Sequence, residues 1–267
     1  IRNTLRWLLG NLDGFSDDEI VPHAELPELE RWVLHRLTEL DSRLRRAVET
    51  HDWTGVYPEI HAFCAADLSA FYFDVRKDSL YCDAKDSHRR RSARTVIDQL
   101  HRCLTAWLAP VLVFTAEEAW LARFPGEGES IHLRDWPVLP TGWRDEALAA
   151  KWARVRELRS HVTSALEMYR KLGELGASVE VSGELRVAAS DDKLLSDEDW
   201  AAVCIVSALR VFHDPGYPAH QLPAFSSLMK KGAKCDRCWR VLPEVGQSHA
   251  HPTLCRRCEA VVDGVTP

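Results

Sequence analysis

From Pro27 to Thr50, apolar residues Leu29, Trp32, Val33, Leu37, Leu40, Leu44 and Val48 recur three or four positions apart, with Arg31, Glu39, Arg43 and Arg46 on other faces. That period aligns them along one stripe, so the segment predicts a long amphipathic helix. Asp52 stands as a candidate N-cap for a second helix, whose Val56, Ile60, Phe63, Leu68, Phe71 and Tyr72 continue the stripe toward Asp74. Pro58 fits only in its first turn. A third helix runs from about Ser87 through Val96, Leu100 and Leu104 to Trp107, where Pro110 ends or kinks it. Thr115 and Glu118 have capping-box spacing for a fourth, ahead of Trp120 and Leu121. Short connections between such helices predict an antiparallel bundle.

The Pro- and Gly-rich stretch Phe124 to Gly142 (FPGEGESIHLRDWPVLPTG) predicts a connector wrapped over the bundle end, and a further helix spans about Asp145 to Leu172. Beyond Gly173 and Gly176 the period changes. Ala177 to Val181 and Glu184 to Ala188 read as short strands flanking Gly183, Ser196 opens a short helix through Trp200, and Ala208 to Phe212 reads as a third strand. Pro215, Gly216, Pro218 and Pro223 then mark an extended linker. The expected fold is mainly α: an antiparallel helical bundle over 1–142, a long helix with a small α+β unit over 143–213, and a linker with a metal-bound tail over 214–267.

With 46% hydrophobic and 28% charged residues in 267, the composition is that of a folded globular chain. The longest apolar run, Ala106 to Phe114, is half of the ~18 residues a membrane span needs and contains Pro110, so no membrane segment is expected. The opening IRNTLRW begins with Ile and lacks the pattern of a signal peptide, which predicts a piece of a longer protein without one. A net charge of −6 argues against a surface coated in cations but leaves room for local patches. Lys85, Arg89, Arg90, Arg91 and Arg94 form one concentration; Lys230, Lys231, Lys234, Arg237 and Arg240 lead into another at Arg256 and Arg257. On charge alone each reads as a solvated face.

Cys64, Cys82, Cys103 and Cys204 are scattered singly, as expected of buried thiols in a reducing, cytoplasmic compartment. Cys235, Cys238, Cys255 and Cys258 instead form two Cys-x2-Cys pairs. Four thiolates at this spacing predict one tetrahedral Zn²⁺ per chain, structural because no coordination position stays open to activate water. Metal binding would supply much of the folding free energy of so short a tail. A disulfide pair is disfavoured by the compartment, and a redox Cys-x2-Cys lacks the strand pattern around it. His249 and His251, between the pairs, are expected at the surface. Lys234, Arg237, Trp239, Arg240, Arg256 and Arg257 interleave the thiols with cations and an indole, which can pair with phosphates and stack on unpaired bases. Equally, Trp239 can cover the knuckle while the cations keep the tail soluble.

Several stretches together resemble the isoleucyl-tRNA synthetases: IRNTLRWLLGNLDGF at Ile1 to Phe15, DLSAFYFDVRKDSLYCDA at Asp67 to Ala84, RRRSARTVIDQL, APVLVFTAEEAW at Ala109 to Trp120, ALEMYRKLGELGASVEV, and KCDRCW with LCRRC in the tail. Ser79 departs from the Arg common at that place in the family. The helix motifs are shared with valyl and leucyl relatives, whereas the zinc peptide points to the isoleucyl branch. The resemblance implies the tRNA-binding C-terminal portion of an isoleucine–tRNA ligase, a monomer whose full length activates isoleucine with ATP and charges isoleucine tRNA. The catalytic domain, with its HIGH- and KMSKS-type motifs, and the editing domain would lie outside these residues, so no catalytic residue is named. The expected RNA contacts are Lys234, Arg237, Trp239, Arg240, Arg256 and Arg257 in the tail, with Arg89, Arg90 and Arg94 in the bundle. A helix beside the missing domain would also leave an apolar patch exposed near Ile1, Leu5 and Leu8. The alternatives are a freestanding zinc-dependent RNA-binding module and, third, a DNA-repair enzyme fragment.

Overall fold

The computed structural model describes residues 1–213, 215, 223–228 and 232–265. Gly216, Pro218, Lys230 and Lys231 lie outside them. The chain divides into two compact units, Ile1–Tyr81 with Lys85–Ala149, and Cys82–Ala84 with Ala150–Pro267.

The first unit is helical: α1 (Arg2–Asn11), α2 (Glu28–Thr50), α3 (Val56–Ala62), a π-helical stretch (Phe63–Tyr72) running into α4 (Phe73–Cys82), α5 (His88–Leu108) and α6 (Val113–Arg123). The predicted α2 stripe is buried from Leu29 to Leu44, while Val48 is exposed one turn before the left-handed His51 ends the helix. Asp52 caps no helix. Its carboxylate accepts from the Thr54 amide at 3.1 Å in a local turn, and Gly55 holds the N-cap position, leaving Pro58 in the first turn.

The helix from Val56 to Cys82 buries Ile60, Cys64, Leu68, Tyr72, Arg76 and Leu80, a strict spacing of four. In a pure α-helix that spacing drifts by about 40° at each step. The wider π turns remove the drift and keep both this row and Phe63, Asp67, Phe71, Val75 and Ser79 facing the core. The register brings Arg76 against Glu30, which it grips through Nε and Nη2 at 2.6 Å each, while the Tyr72 hydroxyl donates to the same carboxylate at 3.2 Å. Burial beside Glu30 raises the Tyr72 pKa well above its usual value.

Ser87 caps α5, its hydroxyl accepting from the Arg90 amide at 3.2 Å. The capping box expected at Thr115 and Glu118 does not form. The turn after Pro110 lets α6 begin at Val113, and both side chains instead receive Arg2, Nη1 lying 3.4 Å from Thr115 and Nη2 2.7 Å from Glu118. The expected apolar patch on α1 is likewise absent at Leu5 and Leu8, which are 2% and 0% exposed because α1 packs on α5 and α6. Within 124–142, Ile131 is buried with Ala109, Ala116 and Trp120, and Trp136 donates its indole N–H to Asp41 at 2.7 Å.

In the second unit, the Ala150–Lys171 stretch of α7 (Glu146–Lys171) buries Trp152, Val155, Leu158, Val162 and Leu166. After it come β1 (Ser182–Val187), α8 (Asp197–Cys204, capped by Ser196), β2 (Ala208–His213) and β3 (Ala224–Leu228). The sheet order is β2-β1-β3, with β1 parallel to β2 and antiparallel to β3. Gly183 admits the Phe225 ring, since a Cβ there would lie 2.5 Å from it. Two expectations fail. Residues 177–181 are no strand but contain a 3-10 turn (Ser178–Glu180), and β3 occupies part of the stretch read as linker. The tail holds β4 (Ala233–Lys234), β5 (Val241–Leu242) and α9 (Arg256–Val262). No described helix is long and apolar enough to cross a membrane.

Candidate metal centre and nucleic-acid surface

The β4–β5 hairpin carries the first cysteine pair. The Cys235 amide donates to the Arg240 carbonyl and the Trp239 amide to the Cys235 carbonyl, each at 2.9 Å, closing a tight knuckle in which Trp239 adopts φ 67°. The second pair sits at the start of α9, with Cys255 at its N-cap position. A 3.1 Å bond from the Asp236 amide to the Thr253 carbonyl joins the halves, and the Cys255 amide points at Cys235 Sγ, 3.4 Å away.

All four sulfurs are buried and lie within 4.8 Å of one another. The Cys238 and Cys255 sulfurs are 3.7 Å apart, too far for a disulfide at about 2.05 Å. A tetrahedron with metal–sulfur bonds of ~2.3 Å has edges of about 3.8 Å, so the donor set fits such a shell. Its electrostatics ask for a cation. Hydrogen bonding from Cys238, then Cys258, holds the Cys255 pKa below its usual value, while the contacts with Cys238 and Cys255 push Cys258 far up. One thiolate forms readily and the next is resisted by the first, an opposition that a divalent cation removes. His249 is exposed and the His251 ring is bound to Asp263 at 2.9 Å, so neither joins the sulfurs.

A second group of ligand types, His35, Glu39 and Glu146, also converges. Here His35 Nδ1 accepts the Asp145 amide at 2.9 Å, which puts the ring proton on Nε2, facing Glu39 at 3.6 Å. Neither ring nitrogen offers a free lone pair, so the group is a hydrogen-bonded core histidine rather than a metal site.

Two anchors fix the knuckle within its unit. Ser207 Oγ accepts the Val241 amide at 2.8 Å and donates to the Val179 carbonyl, tying β5 to the small sheet. On another side, the Arg237 guanidinium donates to the Cys82 carbonyl, and Arg257 pairs with Asp83 at 3.3 Å. Both arginines are half-buried, so they are turned inward rather than projecting. Trp239 is 60% exposed, with the Lys234 ammonium 5.4 Å from its ring centroid; Arg256 is exposed and Arg240 half-buried.

In the first unit, Lys85 is exposed, and Arg89, Arg90 and Arg91 are half-buried at the start of α5. Arg90 donates to the Leu80 carbonyl at 3.2 Å, and Arg91 reaches the carbonyls of Asp18 and Glu19. Arg94 departs from expectation. It is 5% exposed, bound to the Asp13 carbonyl at 2.7 Å and to Glu19 at 3.0 Å, with its guanidinium over Phe15. It falls where α5 is buried without a break from Ser92 to Asp98, so its charge is held inside the bundle. Residues Cys82 and Asp83, which the tail grips, carried no signal in the sequence, being more than 150 residues from their partners.

Residues 30–185, more than half of the chain, match the anticodon-binding domain of tRNA ligase. The chain belongs to this family. Residues 232–261 of the anticodon-binding chain, which contain all four clustered cysteines, match a zinc finger found in FPG and IleRS. The chain is similar to isoleucine–tRNA ligases of Gluconobacter oxydans (52% identical), Ruegeria pomeroyi (47%) and Agrobacterium fabrum (43%). In each case the match covers 98% of this chain and only 27–28% of the relative, so the chain spans about a quarter of the length of these proteins.

Proposed function

We propose that this chain is the tRNA-binding C-terminal portion of an isoleucine–tRNA ligase. It holds the anticodon stem and loop of isoleucine tRNA, while parts of the full-length enzyme outside these residues activate isoleucine with ATP and charge the tRNA. Its contribution is positional: binding energy at one end of the tRNA aligns the other with a distant active site. The observation that carries this reading is the joining of an anticodon-binding bundle to a tail with four convergent buried thiols, within a chain similar along 98% of its length to isoleucine–tRNA ligases.

In this reading Cys235, Cys238, Cys255 and Cys258 hold one structural Zn²⁺. The metal fixes the knuckle and offers no open position for chemistry. Trp239, backed by Lys234, is the stacking surface for an unpaired anticodon-loop base, with Arg240 and Arg256 beside phosphates. Lys85 and Arg89 supply a second set of phosphate contacts. Arg94 is left out because it is buried, and Arg90, Arg237 and Arg257 because they are engaged internally. The protein acts as a monomer in the cytoplasm.

Fluorescence-anisotropy titrations with isoleucine and valine tRNAs test this. The isoleucine tRNA is expected to bind more tightly, with affinity falling steeply as salt rises. Lys85→Gln with Arg89→Gln should reduce the slope of log K against log salt by about two, close to one unit for each phosphate no longer neutralised. Equal binding of both tRNAs would favour a generic RNA-binding module, and salt-independent binding would remove the phosphate contacts.

A further inference from the structure

Cys82, Asp83 and Ala84 belong to the second unit, although the chain on either side of them belongs to the first. Three contacts hold this strap to the tail. Cys82 is the last residue of its helix, so its carbonyl has no intrahelical donor, and the Arg237 guanidinium donates to it. The Cys82 thiol donates back to the Arg237 carbonyl at 3.7 Å, and Arg257 Nη1 lies 3.3 Å from Asp83 Oδ1. The Cys82 side chain is buried in one cluster with Cys235, Cys238, Cys255 and Cys258, covered by Leu242 and Leu254.

The placement of the two arginines is what links strap and metal centre. Arg237 lies inside the first Cys-x2-Cys pair and Arg257 inside the second. Whatever closes the four sulfurs therefore sets both arginine backbones at once. We infer that Arg237 and Arg257 are positioning residues that couple the strap to the metal, so that closing the knuckle locks Cys82–Ala84 against the tail and opening it releases them. This rests on the proposed zinc site. Such coupling is reciprocal: the strap contacts strengthen metal retention by the factor through which metal strengthens them.

Brief labelling of the native chain with iodoacetamide tests the coupling, read by peptide mass spectrometry with zinc measured on the same samples. In the zinc-loaded chain Cys82 should be protected. After chelation it should label together with the four tail cysteines, while Cys64, Cys103 and Cys204, buried elsewhere, remain protected. Held loaded by excess zinc, Arg237→Ala should label Cys82 about tenfold faster, the effect expected from losing one charge-assisted hydrogen bond. Asp83→Asn, a change of almost no volume, should give a smaller increase. The inference is overturned if Cys82 labels equally in loaded and stripped chains, or if Arg237→Ala leaves it protected at full zinc content. A chain that retains no zinc overturns the metal reading and the coupling with it, and the zinc measurement tells that failure from the other two.

Discussion

The bundle and the tail reach a fixed shape by opposite means. In the first unit, apolar stripes on α1, α2, α3 through α4, and α5 bury side chains such as Leu8, Val33, Leu37, Leu68, Leu100 and Trp107, so each helix closes on its neighbours without help. Among its described residues the tail has only Val241 and Val245 buried besides its cysteines. Its two strands are two residues each, and α9 has seven. Elements so short are unstable alone, and the thiols at their centre repel one another once ionised. Folding in the first region is therefore distributed over many residues, and in the second concentrated on four. Exposure follows the same division: the tail leaves Trp239 exposed, and its shape does not depend on burying it.

The sharpest way to break this contrast is to remove one sulfur. Cys258→Ser should abolish tight zinc binding, whose apparent free energy in isolated zinc fingers is ~10 to 16 kcal/mol. The tail should then exchange its amide hydrogens freely, while the far-ultraviolet helical signal of the bundle stays near wild type. A variant that loses both would make the bundle dependent on the metal.

The converse experiment wounds the bundle. Glu30→Gln removes the buried negative charge that Arg76 grips and should destabilise the first unit by about 3 to 5 kcal/mol in denaturant titration, with zinc content unchanged.

Acid separates the regions by a different route. Burial lowers the His101 pKa to about 4, with the ring nitrogen Nε2 3.0 Å from the Ala119 carbonyl. Its folded pKa lies below the unfolded value of about 6.5, so between those pH values the unfolded chain binds the extra proton. The contribution of His101 is complete above about pH 6.5 and is lost as pH falls toward 4, a change on the order of 3 kcal/mol. NMR titration should find His101 neutral at pH 5. An ordinary His101 titration near 6.5 would contradict the burial argument.

The smallest effect is the most specific. Trp239→Ala should leave zinc content and bundle stability as they are and weaken isoleucine tRNA binding by about 1 to 3 kcal/mol. Unchanged affinity would reduce Trp239 to a cover for the knuckle.

What the sequence made legible follows from the same physics. Apolar residues three or four positions apart located α2 and α5, whose buried residues include those rows apart from Val48, and the Cys-x2-Cys spacing picked out the four sulfurs that converge. The π-helical stretch was hidden because a spacing of four resembles an ordinary helix over any single turn. β3 was hidden in a proline-bounded stretch too short to show alternation. The Thr115–Glu118 spacing misled because a capping box marks a helix start only where the chain has not already begun to turn. Arginines misled most. Arg94, Arg237 and Arg257 look like surface charge in the bare sequence, yet each is held by carbonyls or carboxylates from distant parts of the chain. Which of them face solvent is a property of the fold.

One titration bears most directly on the central claim, that a self-sufficient bundle and a metal-built tail together bind isoleucine tRNA. Isoleucine tRNA is titrated into the zinc-loaded chain, the same chain stripped by chelator, and the stripped chain after zinc is restored. The expected result is tight binding, a loss of at least tenfold on stripping with the helical signal preserved, and recovery with zinc. Equal affinity in all three would contradict it, leaving the tail outside the RNA-binding surface.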